Sequence, residues 1–309
     1  MLRKATGLLI AGLLVSTSSF AAVLDGDDFV SATSVSGRAN DWSLTFFSIA
    51  SQQNMKPGKS TSEARSVDTY DYFSINYKLG ADQKAALRLP FNYNTAGMDE
   101  YGEKQTSNFS LQDIHFVYSN YDLGYFGDID LSGKVKTYLP SSKVSQENGL
   151  ITKIRLEGYA DYNFNRSWSV AYVAKPDIYW QSQTASINTS IPTFGDDGMF
   201  VTDPRQTNKQ FGLEHYLQFQ YYINQTFQIT TKTGFIENWY HTSAAEGLEG
   251  DHTTALRLGA SLWIKPARGF SFTLGVGNDS MLGSYKGEDT KIWQPFNTQY
   301  SLMTNIYVL

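Results

Sequence analysis

The feature that most restricts this chain is a two-residue rhythm of apolar and polar side chains that recurs about twelve times, with alternately short and long connections between the recurrences. It runs at about 42–52, 67–79, 84–95, 108–119, 127–139, 150–163, 167–182, 211–223, 227–240, 253–264, 270–283 and 296–309. A period of two is the signature of a strand with two unlike faces. Short connections fall around Gly80 to Gln83, Asp122 to Phe126, Asn165-Arg166, Asn224-Gln225 and Pro266 to Gly269. Long ones fall near 53–66, 96–107, 140–149, 183–210, 241–252 and 284–295. A soluble sandwich has no reason to produce this asymmetry. A bacterial outer-membrane barrel does, with tight turns on its periplasmic side and long loops outside. The expected fold is therefore all-β: one closed antiparallel transmembrane barrel of about twelve strands over residues 41–309.

Parity divides each strand into one apolar and one polar row. Phe73, Ile75, Tyr77 and Leu79 alternate with Tyr72, Ser74, Asn76 and Lys78, and Leu87, Leu89 and Phe91 alternate with Arg88 and Asn92. The polar parity collects Lys78, Lys84, Arg88, Lys134, Lys136, Lys153, Arg155, Lys175, Lys232 and Arg257. A cation facing lipid near the midplane costs about 2–4 kcal/mol, so slipping every strand by one residue would cost up to roughly 20–40 kcal/mol. His215 and Glu237 fall on the lipid parity, toward the long-loop ends of their strands. Aromatic belts are expected from Tyr162, Trp168 and Phe227 at the turn end, and from Trp180, Trp239, Tyr138 and Phe296 at the loop end.

Residues 1–21 read as a cleavable export signal: Arg3 and Lys4 precede the apolar run 7–15, and Ser19-Phe20-Ala21 supplies small residues for cleavage. That run is too short to span a bilayer as a helix. Residues 22–40, with Asp25, Asp27 and Asp28, read as a periplasmic lead or short plug. The chain has no cysteine, which removes disulfides, thiolate metal sites and thiol nucleophiles. A net charge of -5 argues against nucleic acid as a partner. Residues 299–309 resemble the terminal strand signal read by the barrel-assembly machinery, although Leu309 stands where an aromatic is usual. The expected surroundings are outer-membrane lipid and lipopolysaccharide; the oligomeric state, including a homo-oligomer, stays open.

Between Leu87 and Pro140 the chain resembles the outer-membrane channels associated with degradation of aromatic compounds. The matching pieces are Leu89-Pro90, Leu111-Gln112-Asp113-Ile114 and Tyr138-Leu139-Pro140. The resemblance implies uptake of small, apolar molecules and assigns no functional residue.

The candidate pore-lining residues are Lys84, Arg88, Asp113, His115, Lys134, Lys136, Lys153, Arg155, Glu157, Lys175, Asp177, Lys232 and Arg257. Lys136 is expected across from Lys153 and Arg155, a like-charge opposition that is unfavourable unless carboxylates or passing anions offset it. Two readings follow: a wall neutralised by Glu157, Asp177 and Asp113, or a track that guides anions. Asp113 is expected to pair with Arg88 or Lys134. Asp113-Ile114-His115 with Asp128-Ile129-Asp130 invites comparison with barrel proteases, but Asp128 and Asp130 follow a short turn at the wrong end. A lipase would need a serine beside outward His215, and none is evident. His241, Glu246, Glu249, Asp251 and His252 resemble a solvated loop more than a metal site. Phe194-Gly195-Asp196-Asp197-Gly198 lies in a loop long enough to enter a pore, and matches no complete calcium ligand set. Passive diffusion of small solutes, anionic or aromatic among them, is the expected function, with no cofactor and no enzymatic activity. The alternatives are an outer-membrane hydrolase and a non-conducting structural or adhesive barrel.

Overall fold

The structure, a computed structural model, describes residues 41–54, 63–99, 102–187, 193–194, 200–201, 205–242, 252–282, 292–293 and 295–308. The expected export signal and the 22–40 lead lie outside the described residues. Twelve long strands form one sheet: β1 Trp42–Gln53, β2 Asp68–Lys78, β3 Gln83–Asn94, β4 His115–Phe126, β5 Ile129–Tyr138, β6 Leu150–Asn163, β7 Trp168–Gln181, β8 Lys209–Tyr222, β9 Phe227–Tyr240, β10 His252–Ala267, β11 Phe270–Met281 and β12 Thr298–Tyr307. Each pairs antiparallel with its sequence neighbour, and β12 returns to β1 with Phe47 opposite Asn305 and Gln53 opposite Gln299. The sheet is closed, so no edge strand is left to seek a partner. No described helix is long and apolar enough to cross a membrane.

The two rows separate as parity requires. On β9, Gln228, Thr230 and Lys232 are buried while Phe227, Ile229 and Phe235 are exposed. On β2, Tyr72, Ser74 and Asn76 are buried while Phe73 and Ile75 are exposed. Polar inside and apolar outside inverts the soluble arrangement, and suits a wall whose outer solvent is hydrocarbon.

Turn chemistry closes the short side. Asn165 Oδ1 accepts from the N–H groups of Ser167 and Trp168, and Asn224 Oδ1 from those of Thr226 and Phe227. The side chain thus replaces a missing ladder partner at each bend. Gly127 and Gly269 adopt φ of 63° and 77°, a left-handed conformation that β-branched residues avoid.

Three boundaries depart from the sequence reading. Residues 122–126, expected to be a turn, belong to β4, and the reversal comes at Gly127-Asp128. A bulge between Asn120 and Gly124 takes up the extra residues, which is why Asp122 and Gly124 imitate a turn. Pro266 likewise lies within β10, at an irregularity between Ile264 and Ala267 where its missing N–H breaks no ladder bond. The expected strand 108–119 is interrupted. Asn108–Leu111 pairs with the loop-side part of β3, His115 onward pairs with its turn-side part, and residues 112–114 leave the ladder beside Pro90.

Gly234 is the tightest point of the wall. It stands opposite Tyr216, and a Cβ there would collide with the His215 carbonyl oxygen and the Tyr216 backbone. Gly234→Ala is therefore expected to pry β8 from β9 and cost about 1–3 kcal/mol, read as a lower urea midpoint in detergent micelles.

Candidate functional site

The inner face brings most of the singled-out residues together. Lys84, Arg88, His115, Lys134, Lys136, Glu157, Lys175, Asp177, Lys232 and Arg257 are all buried on the inward rows. Lys153 and Arg155 share that row on β6 and are partly buried. One cross-strand line runs Lys84, Ser119, Lys134, Glu157, and continues into the wall where Lys175 faces Glu214. Lys136 stands opposite Arg155 as expected, whereas Lys153 stands opposite Tyr138, so the like-charge opposition is made by one pair and not by two.

Carboxylates relieve it at three places. Glu157 Oε1 lies 2.6 Å from Lys136 Nζ, while Oε2 lies 3.9 Å from Lys134 Nζ and accepts from Tyr159 Oη at 2.9 Å. Arg155 grips Asp177 in a fork, Nε to Oδ1 at 2.6 Å and Nη2 to Oδ2 at 2.7 Å. Arg257 holds Asp279 the same way at 2.8 Å and 2.8 Å, while Nη1 donates to Glu214 Oε1 at 2.6 Å. Planar forks of this kind fix both partners in direction as well as distance.

Tyrosine faces meet several of the cations. Arg88 lies over Tyr72 at 4.6 Å, Lys153 over Tyr138 at 3.8 Å, and Lys84 near Tyr121 at 5.9 Å. Tyr216 is flanked from two strands, by Lys175 at 5.5 Å and Lys232 at 5.3 Å. A ring quadrupole stabilises an ammonium without cancelling its charge. The inward rows of the described strands carry more Lys and Arg than carboxylates, the latter on β5 to β11 being Asp130, Glu157, Asp161, Asp177, Glu214 and Asp279.

The wall made by β12, β1 and β2 is different in kind. Phe47, Ile49, Tyr72 and Met303 form a buried apolar cluster there, with Tyr70 and Trp263 packed against it. The inner surface thus carries an apolar patch, bordered by the buried polar side chains of Thr45, Ser74, Asn76 and Ser301, as well as a cation-rich stretch.

Two expectations fail. Asp113 pairs with neither Arg88 nor Lys134. Its carboxylate accepts from Ser142 N at 2.8 Å and from Ser145 Oγ, tying down the short helix α1, Lys143–Glu147. Residue 113 sits where the chain has left the ladder, so its side chain reaches the neighbouring loop. Tyr138 does not join the outer belt: it is buried inside and stacks on His115 at 4.5 Å. Its parity is that of Lys134 and Lys136, which outweighs its aromatic character. Trp168, Trp180 and Phe227 are exposed outward as expected; the Phe296 side chain lies outside the described residues.

The protease-like pairing does not assemble. His115 Nδ1 meets the Asp113 backbone carbonyl rather than its carboxylate, and Asp130 lies toward the turn end opposite Asp161. Among the described residues no three His, Asp or Glu side chains are arranged so that they could hold a metal ion; Glu246, Glu249, Asp251 and residues 195–198 lie outside them. Sequence reading missed Glu214, Asp279 and the inner tyrosines. All follow inward parity, and a search confined to basic residues passes over them.

No family model matches the chain, and no curated protein does. Solved structures do. The COG4313 outer membrane channel from Pseudomonas putida F1 superposes with a TM-score of 0.53 at 11% identity, covering 88% of this chain and 97% of that one. The chain has the fold of an outer-membrane β-barrel. The NanC porin aligns at 8% identity over 86% of this chain and 100% of its own, with a TM-score of 0.44. The translocator domain of autotransporter NalP from Neisseria meningitidis aligns at 11% identity over 99% and 98%, with a TM-score of 0.46. The barrel's fold is thus held in common with the COG4313 channel.

Proposed function

We propose that this outer-membrane barrel is a narrow passive channel for small organic anions, and that the buried cations of the inner face line its path. One observation carries the reading: an inner surface that holds both an apolar patch of Phe47, Ile49, Tyr72 and Met303 and a stretch of wall on which cations outnumber carboxylates. An amphipathic anion has a surface for each. Lys136, His115 and Tyr72 have no exposed area, so the path is tight and side chains must shift as a solute passes. That favours slow, selective flux over the wide water column of a large porin.

Glu157, Asp177, Glu214 and Asp279 are engaged in forks and pairs with cations, which suits a wall that positions charge. The export signal at 1–21 belongs to the same proposal, since a barrel of this kind must reach the outer membrane from the periplasm. Reconstitution into planar bilayers under a KCl gradient tests it. The expected result is a small conductance with a reversal potential on the anion side, reduced by added aliphatic or aromatic carboxylates. A barrel that is correctly folded by heat-modifiable migration yet passes neither ions nor carboxylates would overturn the channel reading.

A further inference from the structure

The outer face carries a feature the channel does not use. Four polar side chains on adjacent strands form a chain of contacts on the lipid-facing rows. Tyr172 Oη lies 3.5 Å from His215 Nδ1, His215 Nε2 lies 3.4 Å from Glu237 Oε1, and His252 Nε2 lies 3.5 Å from Glu237 Oε2. With Nε2–H donating to Glu237, Nδ1 of His215 accepts from the tyrosine.

Register gives the depth. Phe211, Trp239 and His252 are cross-strand neighbours in the loop-side aromatic row, and Trp168 and Tyr221 mark the turn-side row. The ten-residue span from Tyr221 to Phe211, at about 3.4 Å per residue and a tilt near 40°, gives about 25 Å, the height of an apolar band. By the same scale Glu237 sits about 5 Å and His215 about 10 Å below the outer row. A carboxylate at that depth needs donors, and its two imidazoles approach it one per oxygen while a quarter of its side chain stays exposed.

Beside the chain lies room for a tail. At the level of His215 the next strands present Ala174 and Gly158 outward, where a Cβ on Gly158 would meet nothing closer than 3.9 Å, and the Leu123 side chain, covering Gly133, forms the far edge. A groove of small residues next to a polar rung fits an acyl chain that carries hydrogen-bonding groups just below its headgroup.

We infer that this face binds an outer-leaflet glycolipid through an amide-linked hydroxyacyl chain, its N–H or O–H donating to Glu237 and its tail lying over Ala174 and Gly158. Glycerophospholipids present only ester acceptors at that depth, and so cannot satisfy the carboxylate. The inference rests on the outer-membrane location and is independent of channel activity.

The test uses the full barrel purified in detergent and offered lipid A or phosphatidylethanolamine, with bound lipid counted by native mass spectrometry. Wild type is expected to retain lipid A over phosphatidylethanolamine. His215→Leu/Glu237→Leu places apolar groups toward lipid and should fold normally by heat-modifiable migration. It is expected to lose about tenfold in lipid A retention, the equivalent of one charge-assisted hydrogen bond. Should that variant fail to insert, Glu237→Gln alone must still lower retention. Equal retention of both lipids by wild type, unchanged retention by the variants, or a change of oligomeric state with lipid unchanged would overturn the inference.

Discussion

Replacing Arg257 with methionine is expected to lower the barrel's stability by about 3–5 kcal/mol, the usual consequence of stranding buried charge. Arg257 is buried, and its guanidinium serves Asp279 from β11 and Glu214 from β8 at once. The methionine fills similar volume but leaves two carboxylates without their shared donor fork. The sign of the rescue separates this from lost packing. Adding Glu214→Gln and Asp279→Asn to the methionine variant removes the stranded charges and should restore most of the loss. Urea unfolding in micelles, followed by tryptophan fluorescence, reads both steps. A methionine variant as stable as wild type would mean that the three-way contact contributes nothing.

The same three residues show how far sequence reading reaches. Parity alone places Arg257 inward, because one step of slip would turn it toward lipid at a cost no single contact recovers. It places Glu214 and Asp279 inward too, yet says nothing of which carboxylate meets which cation. Arg257 and Glu214 are separated by β9, and the meeting depends on reach across Gly234, whose missing side chain opens the path. Asp113 illustrates the opposite case. Parity assumes a continuous strand, and Pro90 on the partner, which has no N–H to give, coincides with the break that sends Asp113 toward Ser142. Tyr138 was legible from parity, and the pull of a belt-like aromatic near a strand end hid it. The outward chain of His215, Glu237 and His252 was half visible: two of the three stood out as parity breaks, while their mutual contact needed the register of β8, β9 and β10.

With the barrel conducting as proposed, neutralising the cations around Tyr216 should change what it passes more than how stable it is. Lys175 and Lys232 approach one ring from two strands, 5.5 Å and 5.3 Å from its centre. Glutamine keeps much of each side chain's length and polarity. At an effective dielectric near 20, a unit charge about 6 Å from a passing anion contributes roughly 3 kcal/mol before screening, and salt at physiological strength screens beyond about 8 Å. Halving that for water and counter-ions leaves about 1.4 kcal/mol per charge, so Lys175→Gln/Lys232→Gln, which removes two, should lower the anion-to-cation permeability ratio about a hundredfold. Glu157→Gln should move it the other way, since Lys134 and Lys136 would then carry uncompensated charge. Both shifts are read as reversal potentials across a KCl gradient at unchanged single-channel conductance. Because the two variants alter charge with opposite sign in one wall, a common drift would indicate a change in pore shape, and only displacement in opposite directions agrees with an electrostatic path through this face.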